Sequence, residues 1–191
     1  MNRDDTTLTA TASVGGDVGE LRRVLADDAA FDAWYRRTVP RVFAYLVSRS
    51  GNADLAEELC QETYLAAIAQ RARYDGRSDT IVWLCGIARH KLADHFRQLE
   101  RADRRRFHLE VREITLGATP SPGGMEDRLA IADALRSLPP LQRAMLTFVA
   151  LDGLSVAEAG RLIGKSHAAA QSILFRAREA FRHAYREDGP S

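Results

Sequence analysis

The sequence predicts an all-α protein built as two small helical domains joined by a flexible linker. Three observations predict it. Apolar residues recur at steps of three and four through long stretches before residue 102 and again after residue 126. The segment between them begins with Arg104, Arg105 and Arg106, ends in a Pro/Gly-rich run at Gly124, and has no sustained period. No segment alternates apolar and polar residues as a half-buried strand would. A chain of 191 residues accommodates one ordinary domain or two small ones.

The elements follow in order. Residues 1–20 are rich in Thr, Ala, Gly and Asp, with too little apolar surface to offset ordering entropy, and are expected to form a disordered extension. The first domain is assigned to residues 21–106. Phe31, Tyr35, Val39, Val42 and Leu46 mark one face of its first helix, and Pro40 inside that run predicts a kink or a restart. Gly51 and Asn52 break the chain. Leu55, Leu59, Thr63, Ala66 and Ala67 give the inner face of the second helix, and a loop over 74–80 turns at Gly76. The third helix is expected over 81–101, with Trp83, Leu84, Ile87, Leu92, His95, Phe96 and Leu99 inside and Gly86, His90, Ala93 and Arg97 opposite. A linker is placed at 107–126. The second domain, 127–186, opens with a helix carrying Leu129, Ala132, Leu135 and Leu138 that Pro139 and Pro140 stop. Helices at 140–151, 155–163 and 167–185 follow, then a short tail at 187–191.

The formal net charge is only +1, but charge is unevenly distributed. Residues 52–70 hold Asp54, Glu57, Glu58 and Glu62 without a base. Residues 89–106 hold seven bases against three acids, and 165–186 hold five against one. Alternating acidic and basic surfaces suit a protein with more than one kind of partner. Cys60 and Cys85 form neither a CxxC nor a metal-ligand spacing, which argues against a disulfide framework or zinc site and fits a reducing cytoplasm. No apolar run approaches the ~20 residues of a membrane span, and the N-terminus lacks signal-peptide character. No Ser/His/Asp set, paired-carboxylate site or Gly-rich phosphate loop is present. The sequence therefore predicts no enzyme, no cofactor, no metal and no small-molecule substrate.

Near the C-terminus the residues follow helix-turn-helix logic. Ser155 is a good N-cap, and Glu158 three residues on completes a capping box. Gly164 supplies the turn and Ser166 caps the next helix. That helix opens with His167, Ala168, Ala169 and Ala170, small enough for close approach to a major groove, and Arg176, Arg178 and Arg182 lie within reach of phosphates. A plain helical hairpin with a solvated basic face fits the same residues. In the first domain Asp54, Glu58, Gln61 and Leu65 share an outward face flanked by Glu57 and Glu62. This is either a protein-docking surface or a solvated face. The loop with Tyr74, Arg77, Ser78 and Thr80, beside a helix carrying Arg89, His90, Lys91, Asp94 and Arg97, has the aromatic, polar and basic groups that hold unpaired DNA.

In this order the pieces resemble bacterial sigma factors of the extracytoplasmic-function type, within the sigma-70 family. The resemblance covers residues 27–106 and 127–186. Three strings carry it: DLAEELCQETYLAA, WLCGIARHKLADHFR, and LRSLPPLQRAMLTFVALDGLSVAEAGRLIGKSHAAAQSILFRARE. The resemblance implies a promoter-specificity subunit that works in the cytoplasm, on the nucleoid when assembled with polymerase. It implies that Asp54, Glu58, Gln61, Glu62 and Leu65 dock on core RNA polymerase. It implies that Tyr74, Arg77, Ser78, Thr80, Arg89, His90, Lys91, Asp94 and Arg97 contact −10 promoter DNA, the loop capturing a flipped base. It implies that Ser155, Lys165, Ser166, His167, Ala168, Ala169, Gln171, Ser172, Phe175 and Arg176 form the −35 contact, and that an anti-sigma factor is a further partner. Departures are Glu58 for the family's Asp, His90 for Asn, Ala169 and Ala170 for Thr-Val, and Ala159 and Gly160 for Ile-Ala. Gln171 and Ile173 stand where bases are usual, which predicts a shallow salt dependence of −35 binding. The residues also fit a helix-turn-helix regulator that dimerises through 27–106, or a sigma-like module that acts by protein binding alone.

Overall fold

The computed structural model describes Val24, residues 27–107 and residues 125–187. The extension at 1–20, nearly all of the 107–126 linker and all but the first residue of the 187–191 tail lie outside the described residues. Seven α-helices and no strand occur among those described: α1 Asp28–Ser50, α2 Ala53–Ala69, α3 Thr80–Phe107, α4 Met125–Ser137, α5 Pro140–Ala150, α6 Val156–Leu162 and α7 His167–Glu187. A short 3-10 turn, Arg71–Arg73, follows α2.

Local chemistry sets the boundaries. Asp27 caps α1 by accepting from the Ala29 N–H at 2.9 Å. Gly51 ends α1 in the left-handed region at φ 67°. Asn52 caps α2 by accepting from the Leu55 N–H at 3.1 Å, and Asp79 accepts from the Ile81 N–H at 2.8 Å at the start of α3. Pro40 neither stops nor restarts α1, which is continuous through it. Its cost in a helix interior, about 3 kcal/mol, is met by packing on both sides: Trp34 and Thr38 before it and Val42 and Leu46 after it are buried on one face. The buried stripe is also rotated from the expected one, with Phe31, Tyr35 and Val39 at its margin.

The first half closes around aromatic contacts. Trp34 and Tyr64 meet edge to face at 5.5 Å, and the Tyr64 hydroxyl donates to Thr38 Oγ1 at 2.7 Å. Thr38 in turn donates to the Trp34 carbonyl at 2.8 Å. Leu84, Leu92 and Phe96 of α3 fill the remaining core. In the second half Leu141, Met145 and Phe148 of α5 pack with Ala159 and Ile163 against Ala170, Ile173 and Leu174 of α7. The two halves share one continuous core, because α5 packs on both α1 and α3.

Candidate nucleic-acid interface

The helix-turn-helix forms as its local signals require. Ser155 and Glu158 make the reciprocal box: Ser155 N–H donates to Glu158 Oε2 at 2.9 Å and Glu158 N–H donates to Ser155 Oγ at 3.3 Å. The Ser155 hydroxyl, which donates to Glu158 Oε2 at 2.6 Å, and then the Ser155 N–H hold the Glu158 carboxyl below its usual range. Gly164 turns at φ 68°, and Ser166 Oγ accepts from the Ala169 N–H at 3.3 Å. Gly160 has a packing reason: a Cβ there would lie 2.9 Å from Ala170 Cβ, so the two helices of the motif approach at a distance only glycine permits. The helix-propensity cost of a glycine inside a helix, about 1 kcal/mol, accompanies this close α6–α7 contact.

The face of α7 that the −35 reading requires is open to solvent. Ser166, His167, Ala168, Gln171, Ser172 and Arg176 are exposed, and Phe175 is 68% exposed. Lys165 and Ala169 are half-buried at its edge. Ser172 donates to the Ala168 carbonyl at 3.1 Å. Ile173 differs from expectation. It is 8% exposed and belongs to the core, so its side chain faces the interior and not the face that the −35 reading requires. Arg176, Arg178 and Arg182 of α7 are exposed, and Arg182 pairs with Glu179.

On α2, Asp54, Glu58 and Gln61 are exposed and Leu65 is 70% exposed, so they form one acidic face with an apolar residue at its end. Glu62 lies beside them and pairs with Lys91 of α3 at 3.0 Å. This pair ties an expected docking residue to an expected −10 residue.

The −10 set divides. Arg77 is exposed and Ser78 half-buried in the loop, and Asp75 accepts from the Arg77 N–H at 3.1 Å. Tyr74 is not a surface ring. It is 3% exposed, packs on Trp83 at 5.1 Å between ring centres, and donates its hydroxyl to the Ser78 carbonyl at 2.6 Å. It shapes the loop from beneath, and Thr80 is buried with it. On α3, His90 is exposed, and Lys91, Asp94 and Arg97 are half-buried, with Arg97 paired to Asp94. Ala93 is buried and does not share the outward face expected of it. Arg89 points into an ion network with Asp152 of the second half, its Nε 2.9 Å from Asp152 Oδ2.

Sequence reasoning missed that network. Asp152 also receives Arg49 Nη2 at 2.6 Å and the Tyr45 hydroxyl at 2.8 Å. Burial, then the Asp152 charge, pushes the Tyr45 hydroxyl far above its usual range. A lone acid between two helices carries no sequence signal for such a role. Among the described residues no group of three or more His, Cys, Asp or Glu could hold a metal, and no helix is long and apolar enough to cross a membrane.

His95 on α3 is half-buried, and burial lowers its pKa despite Glu58 and Glu62 of α2, while Arg143 of α5 lowers it further. Unfolding restores the ordinary value of about 6.5. The unfolded chain therefore binds the proton first as pH falls, and stability is lost from about pH 6.5 down to the folded pKa. Urea melts between pH 7 and 5 are expected to show this loss, and His95→Gln is expected to flatten it.

Residues 34–102 match the family "Sigma-70 region 2", and residues 128–181 match "Sigma-70, region 4". The chain is 37% identical to the ECF RNA polymerase sigma factor SigF of Caulobacter vibrioides, over 84% of this chain and 88% of that protein. It is 34% identical to the ECF sigma factor SigC of Mycobacterium tuberculosis, over 91% and 94%. It is 36% identical to the ECF sigma factor BldN of Streptomyces coelicolor over 82% of this chain, spanning 61% of that longer protein. Among solved structures, RpoE of Bartonella quintana, determined with the anti-sigma factor NepR, shares the fold at TM-score 0.52 and 23% identity, over 83% of this chain and 98% of that one. The chain belongs to the extracytoplasmic-function RNA polymerase sigma factors of the sigma-70 family.

Proposed function

We propose that this chain binds core RNA polymerase and directs it to promoters by contacting −10 and −35 DNA, itself performing no catalysis. The observation that carries the reading is the coexistence, on one helical chain, of three differently built faces in the family's order. These are the acidic α2 face with Leu65, the loop and basic α3 face around Arg77, His90 and Arg97, and the open N-terminal face of α7.

Each face suits one task. The α2 face offers charge and an apolar anchor to a protein. The α7 face places small side chains at the helix start, where close approach to base edges is needed, with Gln171 and Arg176 able to hydrogen-bond. The loop over Tyr74 presents Arg77 and Ser78 above a buried aromatic base plate. Holding an extruded base there offsets an unpairing cost of a few kcal/mol. The domain division at 21–106 and 127–186 follows from these tasks, with the 107–126 linker passing through polymerase. An anti-sigma factor is a fitting partner, and the cytoplasm is where such a subunit works.

Run-off transcription with purified core polymerase on genomic promoter fragments tests the reading. Specific transcripts that depend on the added chain are expected. Absence of transcripts together with failure to co-purify core polymerase would contradict it.

A further inference from the structure

Helix α3 carries a glycine that its own fold does not require. Gly86 lies inside α3 with ordinary helical backbone, and a Cβ built on it would meet nothing within 4 Å. The other described glycines each have a reason. Gly51, Gly76, Gly153 and Gly164 have positive φ, and a Cβ at Gly160 would crowd Ala170. Gly51 is a close approach as well, since its Cβ would lie 2.8 Å from Arg136 Cγ of α4. In a helix interior glycine is less favourable than alanine by about fivefold in the folded-to-unfolded ratio. Gly86 therefore costs stability without packing, turning or capping anything among the described residues.

Its surroundings point outward, to a ligand. Val82, Gly86 and His90 are spaced by four and form one ridge of α3. Val82 is 60% exposed, and His90 is exposed. The two side chains rise about 12 Å apart along the helix, at about 1.5 Å per residue. Between them is a notch whose floor is the bare backbone at Gly86. An apolar wall at one end and a ring N–H donor at the other suit the carbons of a sugar and the oxygen of a phosphate. Bases outnumber acids beside it, where Arg73, Lys91 and Arg97 stand against Asp94. Ser78 of the loop that suits an extruded base borders the same cleft, so a strand with a base in that loop continues past Gly86. A Cβ would keep ligand atoms about 3.5–4.0 Å from itself; without one, a strand can reach the helix backbone.

We propose that Gly86 is a contact site for the sugar–phosphate backbone of the unpaired −10 strand, which crosses α3 in the notch between Val82 and His90. This assignment deepens the sigma-factor reading above and rests on it. Glycine keeps a side chain out of the strand's path, and some stability of the free chain is given up for that approach. One substitution therefore acts in opposite directions on folding and on binding. Added bulk at Gly86 strengthens α3 and obstructs the strand, whereas replacing a merely tolerated glycine would raise stability with no loss of binding.

The test uses full-length Gly86→Ala and Gly86→Leu. Urea melts of each chain alone read stability. Binding is read with chain and core polymerase together, on a labelled single strand of about 12 nucleotides from the −10 region of a promoter that the wild-type chain transcribes. Gly86→Ala is expected to raise the folded-to-unfolded ratio about fivefold and to weaken single-strand binding about fivefold. Gly86→Leu is expected to weaken it about thirtyfold or more. Binding of a −35 duplex and of core polymerase is expected to stay unchanged in both. Unchanged or tighter single-strand binding by Gly86→Leu overturns the proposal. So does a loss of stability in Gly86→Ala, which would mean that the free chain itself needs the glycine. Should Gly86→Leu lose helical circular dichroism signal, Gly86→Ala and Gly86→Ser carry the comparison, and unchanged single-strand binding by both overturns the proposal. Run-off transcription by the wild-type chain judges the sigma reading separately. Normal wild-type transcription beside unaffected Gly86 variants condemns the notch alone, and absence of wild-type transcripts removes both.

Discussion

Glu58→Arg combined with Gln61→Ala is expected to abolish association with core RNA polymerase in pull-down and run-off assays while leaving the helical content intact. Both residues are exposed on α2 and share a face with Asp54 and Leu65. Charge reversal at the centre of a protein interface costs about 2–4 kcal/mol, which is about 30- to 1000-fold in affinity. Substitutions on an exposed helix face change stability by only about 0.5 kcal/mol, so a loss of binding would not be a loss of fold. Normal core binding by the double variant would show that the acidic face of α2 is merely solvated.

Trp34→Ala is expected to destabilise the chain by about 3–5 kcal/mol in urea denaturation, a large part of the about 5–15 kcal/mol typical of a whole domain. Trp34 is 1% exposed and packs against Tyr64 and Phe31. Trp34→Phe is expected to cost less than about 2 kcal/mol. It keeps an aromatic ring in place and removes a buried Nε1–H that has no acceptor among the described residues. Equal losses for the two substitutions would contradict this account of the core.

Helix identities and the helix-turn-helix were legible because their signals are local. The Ser155–Glu158 box, Gly164 and Ser166 are read from spacing and found in place. The outward acidic face of α2 was legible for the same reason, since helical periodicity assigns a side without any knowledge of neighbours. What depended on neighbours was not. Pro40 looked like a break because periodicity does not weigh the packing of Trp34, Thr38, Val42 and Leu46. Ala93 looked outward until α3 was seen to be buried on more than one side. Tyr74 had the composition of a base-stacking ring, but Trp83 and the Ser78 carbonyl hold it inside. Ile173 read as a missing base because the comparison was by family position, and only the packing of α7 shows it in the core.

The contact between the halves was the least legible feature. Asp152 and its partners Arg49 and Arg89 are separated by 103 and 63 residues, and no spacing rule links them. Nor does composition mark Gly51 as the place where α4 passes close. Arg89, expected on the basic face of α3, is instead paired with Asp152 of the second half, while His90 and Arg77 stay exposed.

Permanganate reactivity of promoter thymines is the most direct test of the claim that this chain brings polymerase to promoters and helps open them. With core polymerase and this chain together, new reactive thymines are expected around −10 and protection at −35, neither appearing with core polymerase or with the chain alone. Protection at −35 by the chain alone, unaffected by core polymerase and without thymine reactivity, would contradict the account and mark the protein as an ordinary helix-turn-helix regulator.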